Sequence, residues 1–217
     1  MMGCDKVKEE KKALRRTVRA KMRSEWTEEY RQTVSESVCQ QIEAFLPFVR
    51  SHCVALYCAL PDEVDLTAIL ERYQGEKRLL IPRVEGDDIN FYSYQSDSLI
   101  TSENYKILEP TATVEEAVDP AEIELILVPG VAFDLHGGRM GRGKGFYDRF
   151  FTRCPHALRV AVTSSMQIVE QIPLEPWDVA MHYIISDSKT YEVRDWQSCT
   201  SRQPRHKKAP PITVRRL

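Results

Sequence analysis

The stretch IELILVPGVAFDLHGGRMGRGKGFYDRFF, residues 123–151, decides how this chain is read. Its first six residues, Ile123 to Val128, apolar but for Glu124, form a run of the kind that makes a strand buried on both faces. Glycines then cluster: Gly130, Gly137, Gly138, Gly141, Gly143 and Gly145 are six of the nine in the chain. Concentrating glycine costs backbone entropy, and one return is a loop whose N–H groups approach a phosphate closely. From Gly145 to Phe151 the pattern turns helical. A strand, a glycine loop and a helix N-terminus make an anion site, because unpaired N–H groups and the helix dipole face the same ligand. Arg139, Arg142 and Lys144, interleaved with the glycines, add formal positive charge. The six glycines are therefore read as marking one phosphate-binding loop.

The run Gly138 to Lys144 also matches the G-x-x-x-x-G-K of a P-loop, but Gly145 follows where a Ser or Thr would hold Mg²⁺. A standard P-loop ATPase is not expected. Asp148, one turn into the helix, is the nearest carboxylate for Mg²⁺, which takes one or two carboxylates plus phosphate oxygens. From spacing alone, its commoner role is an acid favouring the helix dipole.

Working outward, Cys53–Ala59, Arg78–Ile81, Arg159–Thr163 and His182–Ser186 read as further strands, with Pro82 stopping the second. Ile89–Tyr94 alternates apolar and polar residues, as an edge strand does. Helices are expected over 5–23, over 28–45 after the cap Thr27, and from Asp65 to Tyr73 with Gly75 as the stop. Residues 95–121 read as irregular. Strands separated by helices predict an α/β fold: three layers around a mainly parallel sheet, Rossmann-like, in a single domain over 1–195. On the first helix, Leu14, Val18 and Met22 form an apolar stripe, with Lys11, Arg15 and Arg19 along its edge. Asp62 and Glu63 lie just past the end of a strand, where α/β sheets bind ligands; Asp62 and Asp65 alone read as loop and cap residues.

Composition narrows the class. With 42% hydrophobic and 29% charged residues, the chain of 217 is neither fibrous nor wholly disordered. Its longest apolar run, Cys53 to Leu60, is far short of a membrane span. The net charge of −2 hides two basic ends, +6 over residues 1–23 and +6 over 202–217, around a body at −14. Residues 196–217 read as a basic, flexible tail. Six cysteines without a C-x-x-C pair read as free thiols rather than a zinc site. An N-terminus without an apolar signal core, carrying Asp5, Glu9 and Glu10, points to the cytoplasm.

The central motif, Val128-Pro129-Gly130-Val131-Ala132-Phe133-Asp134 followed by Gly-x-Arg-x-Gly-Arg-Gly-Lys-Gly-Phe-Tyr-Asp, resembles the signature of the 5-formyltetrahydrofolate cyclo-ligase (methenyltetrahydrofolate synthetase) family. Lys11-Lys12-Ala13-Leu14-Arg15, Ala59-Leu60-Pro61-Asp62-Glu63-Val64-Asp65, Ile81-Pro82-Arg83, Leu108-Glu109-Pro110 and Pro173-Leu174-Glu175-Pro176-Trp177-Asp178 extend it in order. The resemblance implies ATP- and Mg²⁺-dependent cyclisation of 5-formyltetrahydrofolate to 5,10-methenyltetrahydrofolate, with release of ADP and phosphate through a phosphorylated formyl group. It implies that Lys11 and Arg15 hold ATP phosphates and that Arg139, Met140, Gly141, Arg142, Gly143, Lys144, Gly145, Phe146 and Tyr147 form the nucleotide loop. Lys144 and Arg142 would act on the transferring phosphoryl group. Arg142 to Phe146, with Cys58 and Glu63, would touch the folate, Glu63 accepting from the pterin amino edge, and Asp148 would bind Mg²⁺. The chain departs from the family pattern at Phe146, where Tyr is frequent, at His182, where many relatives have Asp, and in its long basic tail. A monomer that binds neither membrane nor nucleic acid is expected. The competing reading is a non-catalytic relative that holds RNA or another polyanion through its basic ends.

Overall fold

The computed structural model describes residues 2–101 and 108–194; the tail expected at 196–217 lies outside the described residues. A seven-stranded sheet forms the centre, in the order β12 (Thr190–Glu192), β11 (Tyr183–Ile185), β9 (Leu158–Val162), β6 (Leu125–Val128), β1 (Cys53–Ala55), β2 (Arg78–Glu85), β3 (Asp88–Ser93). The inner pairings are parallel and the two edge pairings antiparallel. The apolar run expected to be the best-buried strand takes the middle position, with all four residues of β6 buried.

Period-2 alternation divides the sheet into two faces. On one, Val54, Leu79, Leu125, Leu127 and Val160 meet Val38 and Ile42 of α2 (Glu28–Ala44), Phe48 of α3 (Leu46–Arg50) and Ile69 of α4 (Thr67–Tyr73). On the other, Ala55, Leu80, Ile126 and Ala161 meet Phe150 and Phe151 of α5 (Phe146–Arg153). This is the expected three-layer arrangement. Side chains such as Ile42 and Phe48, fully removed from water, each contribute about 1.5–3 kcal/mol.

A second, small sheet of β7 (Ala132–Asp134), β8 (Arg139–Met140) and β10 (Ile168–Val169) stands beside the first. Val18 and Met22 of α1 (Met2–Glu25) are buried against it with Val131, Ala132, Met140 and Ile172. The apolar stripe of α1 therefore docks as expected, on a sheet that the glycine-rich stretch was not expected to contain.

Three local expectations are corrected. Pro82 does not stop its strand: β2 continues to Glu85, paired with β3. The Leu79 carbonyl accepts from Tyr94 on the β3 side and that of Leu80 from Leu56 on the β1 side, so alternation turns the donor-less nitrogen of Pro82 toward the side where β1 has ended. The strand expected over Cys53–Ala59 ends at Ala55, with one further backbone bond from Leu56. Residues 95–121 are not wholly irregular, since β4 (Leu99–Thr101) and β5 (Leu108–Pro110) pair as antiparallel strands. The second helix ends before Pro47, at Ala44, and Pro47 itself lies in the first turn of α3, where a missing N–H costs nothing.

Candidate active site

The strand order reverses between β1 and β6, and in open α/β sheets ligands bind outside the carboxyl ends of the strands at such a point. A cavity of about 620 Å³ opens there, within the range of small-molecule sites. It is lined by Tyr57 and Cys58 after β1, by Pro129 and Gly130 after β6, and by the loop from Gly141 to Gly145.

The six glycines divide between different tasks. Gly137 and Gly138 belong to the β7–β8 turn, where Asp134 is buried and accepts from the N–H groups of His136 (2.9 Å), Gly138 (2.8 Å) and Ile172 (2.7 Å). A β-carbon on Gly138 would collide with that carboxylate, and one on Gly130 would lie 2.6 Å from Phe133 Cζ. Only Gly141, Gly143 and Gly145 form the loop before α5. The P-loop match fails for the same reason, because strand β8 interrupts it. Gly145 is the residue before α5, at φ 71°, and offers no side-chain cap. The first-turn N–H groups of α5 are thus left without one, as an anion site requires.

Lys144 is exposed, and among the described residues its ammonium has no hydrogen bond or ion pair. Arg149 fixes its backbone, donating from Nη1 to the Lys144 carbonyl at 3.0 Å and from Nε to Asp88 Oδ1 at 3.0 Å. Arg142 donates to Glu63 Oε1 from Nε (3.2 Å) and Nη2 (3.1 Å), and also to Asp62. Burial works against the Arg142 charge, but Glu63 and Asp62 outweigh it and raise its pKa. Glu63 is 7% exposed, its other oxygen accepts from the Leu60 N–H at 3.0 Å, and burial raises its pKa against the pull of Arg142.

From α1, Arg15 donates from Nε to the Gly141 carbonyl at 2.9 Å and faces Gly143. Lys11 is buried and donates to Glu175 at 2.9 Å and to Asp178. Arg139 lies buried under the loop, donating to the Pro129 carbonyl and to Asp148 Oδ2, both at 3.1 Å, with its guanidinium 5.3 Å from the Tyr147 ring centre. Among the described residues its Nε has no partner. Met140 is 1% exposed and packs below α1. Phe146 carries the Arg149 guanidinium 5.6 Å from its ring centre. Tyr147 also lines the cavity; burial first, then Glu63, raises its phenol well above the ordinary value, so it stays protonated. Burial, then Glu109, pushes the Cys58 thiol up to about 12, which makes it a wall rather than a nucleophile.

All the residues singled out for chemistry thus border one cavity. Reading along the chain missed their holders: Glu175 and Asp178 on Lys11, Asp62 on Arg142 and Arg149 on the loop. Glu175 and Asp178 lie 164 and 167 residues from Lys11, and no local pattern reports such a pairing. His182 lies elsewhere, half-buried against Arg159, with its pKa lowered to about 3 by burial and then by that arginine. Among the described residues no helix is long and apolar enough to cross a membrane.

The comparisons with known proteins agree with this fold. An Escherichia coli (strain K12) protein named 5-formyltetrahydrofolate cyclo-ligase is 28% identical over 172 residues, 76% of this chain and 94% of the relative. The NMR structure of Aquifex aeolicus 5,10-methenyltetrahydrofolate synthetase superposes with a TM-score of 0.76 at 34% identity, covering 94% of this chain and 99% of that one. A 5,10-methenyltetrahydrofolate synthetase from Mycoplasma pneumoniae follows at 0.65 and 26%, covering 82% and 98%. The profile of the 5-formyltetrahydrofolate cyclo-ligase family matches residues 7–187, and the chain belongs to that family.

Proposed function

We propose that this cyclo-ligase uses ATP to close 5-formyltetrahydrofolate into 5,10-methenyltetrahydrofolate, releasing ADP and phosphate. The observation that carries the reading is Lys144, unpartnered among the described residues, which lines the cavity beside the uncapped start of α5, with Arg15 against the adjoining Gly143.

The formyl oxygen is a poor leaving group, so it must be activated. It attacks the γ-phosphorus of ATP, and the bond to the bridging oxygen breaks to release ADP. The N10 lone pair then adds to the formyl carbon, and phosphate departs with the former formyl oxygen. Loss of the N10 proton leaves the methenyl cation. Both nitrogens belong to one bound folate, so closure is intramolecular and positioning supplies much of the rate.

Lys144 and Arg142 neutralise charge at the transferring phosphoryl group, and Arg15 and Lys11 hold the phosphates from the α1 side. For Lys11 this requires ATP to compete with Glu175 and Asp178. The residues from Arg139 to Tyr147 surround the nucleotide. Cys58 and Glu63, with the loop from Arg142 to Phe146, border the folate. Glu63 also aims Arg142.

Among the described residues no group of three or more His, Cys, Asp or Glu side chains could cage a metal. One carboxylate on a phosphate-binding loop still fits Mg²⁺, a hard ion that completes its shell with phosphate oxygens and water. Asp148 would hold it through the oxygen that Arg139 does not use. Bound there, Mg²⁺ would offset phosphate charge.

The test is to mix the protein with 5-formyltetrahydrofolate, Mg²⁺ and ATP and follow methenyltetrahydrofolate absorbance. ATP-dependent product is expected, and its absence would refute the reading.

A further inference from the structure

Among the described residues, five carboxylates line the cavity. Four are held by cations: Glu63 by Arg142, Asp148 by Arg139, and Glu175 and Asp178 by Lys11. The fifth, Glu109 on β5, is half-buried, and among the described residues it has neither an ion pair nor a hydrogen bond to its side chain.

Its mounting is rigid. Arg83 reaches across from β2, donating to the carbonyl of the next residue, Pro110, at 3.2 Å and to that of Ala112. Arg83 is itself fixed by Glu85 and by the Tyr92 hydroxyl at 2.8 Å. The cavity wall on this side is supplied by Pro82, Val84, Ile89 and the neutral Cys58. Of the cations that line the cavity, Lys11, Arg15, Arg142 and Lys144 belong to α1 and the glycine loop, Arg139 is tied to Asp148, and Arg149 of α5 is tied to Asp88; none of them pairs with Glu109 among the described residues.

An unpaired carboxylate in an apolar wall is costly unless a ligand brings donors to it. A phosphate is repelled there and is drawn to the cationic end. What suits the place is a flat heterocycle whose edge presents two adjacent N–H donors, which a carboxylate takes in a bidentate pair.

We infer that Glu109 receives the 2-amino and N3–H edge of the pterin and so sets which way the folate lies in the cavity. This rests on the folate reading above. It gives Glu63, whose two oxygens already accept from Arg142 and the Leu60 N–H, the separate task of positioning Arg142.

The experiment compares 5-formyltetrahydrofolate with the analogue carrying hydrogen in place of the 2-amino group. It uses the full chain, both in steady-state turnover and in calorimetric binding without ATP. The wild-type protein should favour the natural substrate by about tenfold or more, the scale of a charge-assisted hydrogen bond. Glu109→Ala should raise KM for the natural substrate by about as much, lose the preference between the two compounds, and keep its KM for ATP. Glu63→Gln should lower kcat yet keep the preference. If Glu109→Ala does not fold, Glu109→Gln keeps the volume but faces one N–H with a donor, so the preference should shrink. A Glu109 variant that discriminates as strongly as wild type overturns the inference, as does loss of discrimination in Glu63→Gln instead. A wild-type protein that binds folate but forms no product refutes the proposed reaction alone, and the binding data still decide the role of Glu109.

Discussion

Two neighbouring parts of one glycine-rich stretch do opposite work. From Ala132 to Met140 the chain is a β-hairpin, buried around Asp134, and its glycines give room: Gly138 lies against the Asp134 carboxylate, and Gly137 lets the Met181 carbonyl come close. From Gly141 to Gly145 the chain is a loop with cavity on one side, and its glycines give conformation: Gly143 sits at φ 102° and Gly145 at φ 71°. Glycine content is therefore not a measure of ligand-binding loop. The hairpin makes a platform, α1 docks on it, and the loop that carries Lys144 receives Arg15 as a consequence.

That division makes predictions that decline in size. Lys144→Ala, on the loop, should cut turnover by ~10²–10³-fold, as loss of one aimed charge does at other catalytic sites. Its thermal melt should match wild type, and near-normal turnover would show that the loop cation is not used. Asp134→Ala, under the hairpin, should cost about 3 kcal/mol or more, because three N–H groups, two of them buried, lose their acceptor; a urea titration reads this directly. Alanine at the two kinds of glycine separates the parts further. Gly138→Ala should cost about 2 kcal/mol by overpacking while each folded molecule keeps its turnover. Gly143→Ala should cost about 1–2 kcal/mol of backbone strain and lower turnover in the folded fraction. Equal turnover losses at both positions would erase the contrast. The smallest effect is expected for Arg149→Ala, which unties the Lys144 carbonyl. An exposed tie of this kind contributes ~0.2–1 kcal/mol, so kcat should drop by no more than about fivefold with stability unchanged.

Much of this was legible in residue order. The apolar run Leu125 to Val128 had to be an interior strand, since only burial on both faces suits it. The spacing of Leu14, Val18 and Met22 announced a docked helix and placed Lys11 and Arg15 on one edge. Glu63 stood out by lying just beyond a strand end. Other features misled. Pro82 reads as a stop because its missing N–H matters only on a paired side, and which side is paired is not written locally. The glycines read as one loop because composition records what backbone is allowed, not which atoms approach it.

The sequence by itself determined the layers of the fold, the strand at its centre and the identity of the cationic segments, because periodicity and turn chemistry act between near neighbours. Only the tertiary structure decided the partners. Lys11 between Glu175 and Asp178, Arg142 on Glu63, Asp148 on Arg139 and Glu109 left unpaired are products of strand order and helix docking. They follow from distances across the fold, on which the energy of a charge depends and which spacing along the chain does not encode.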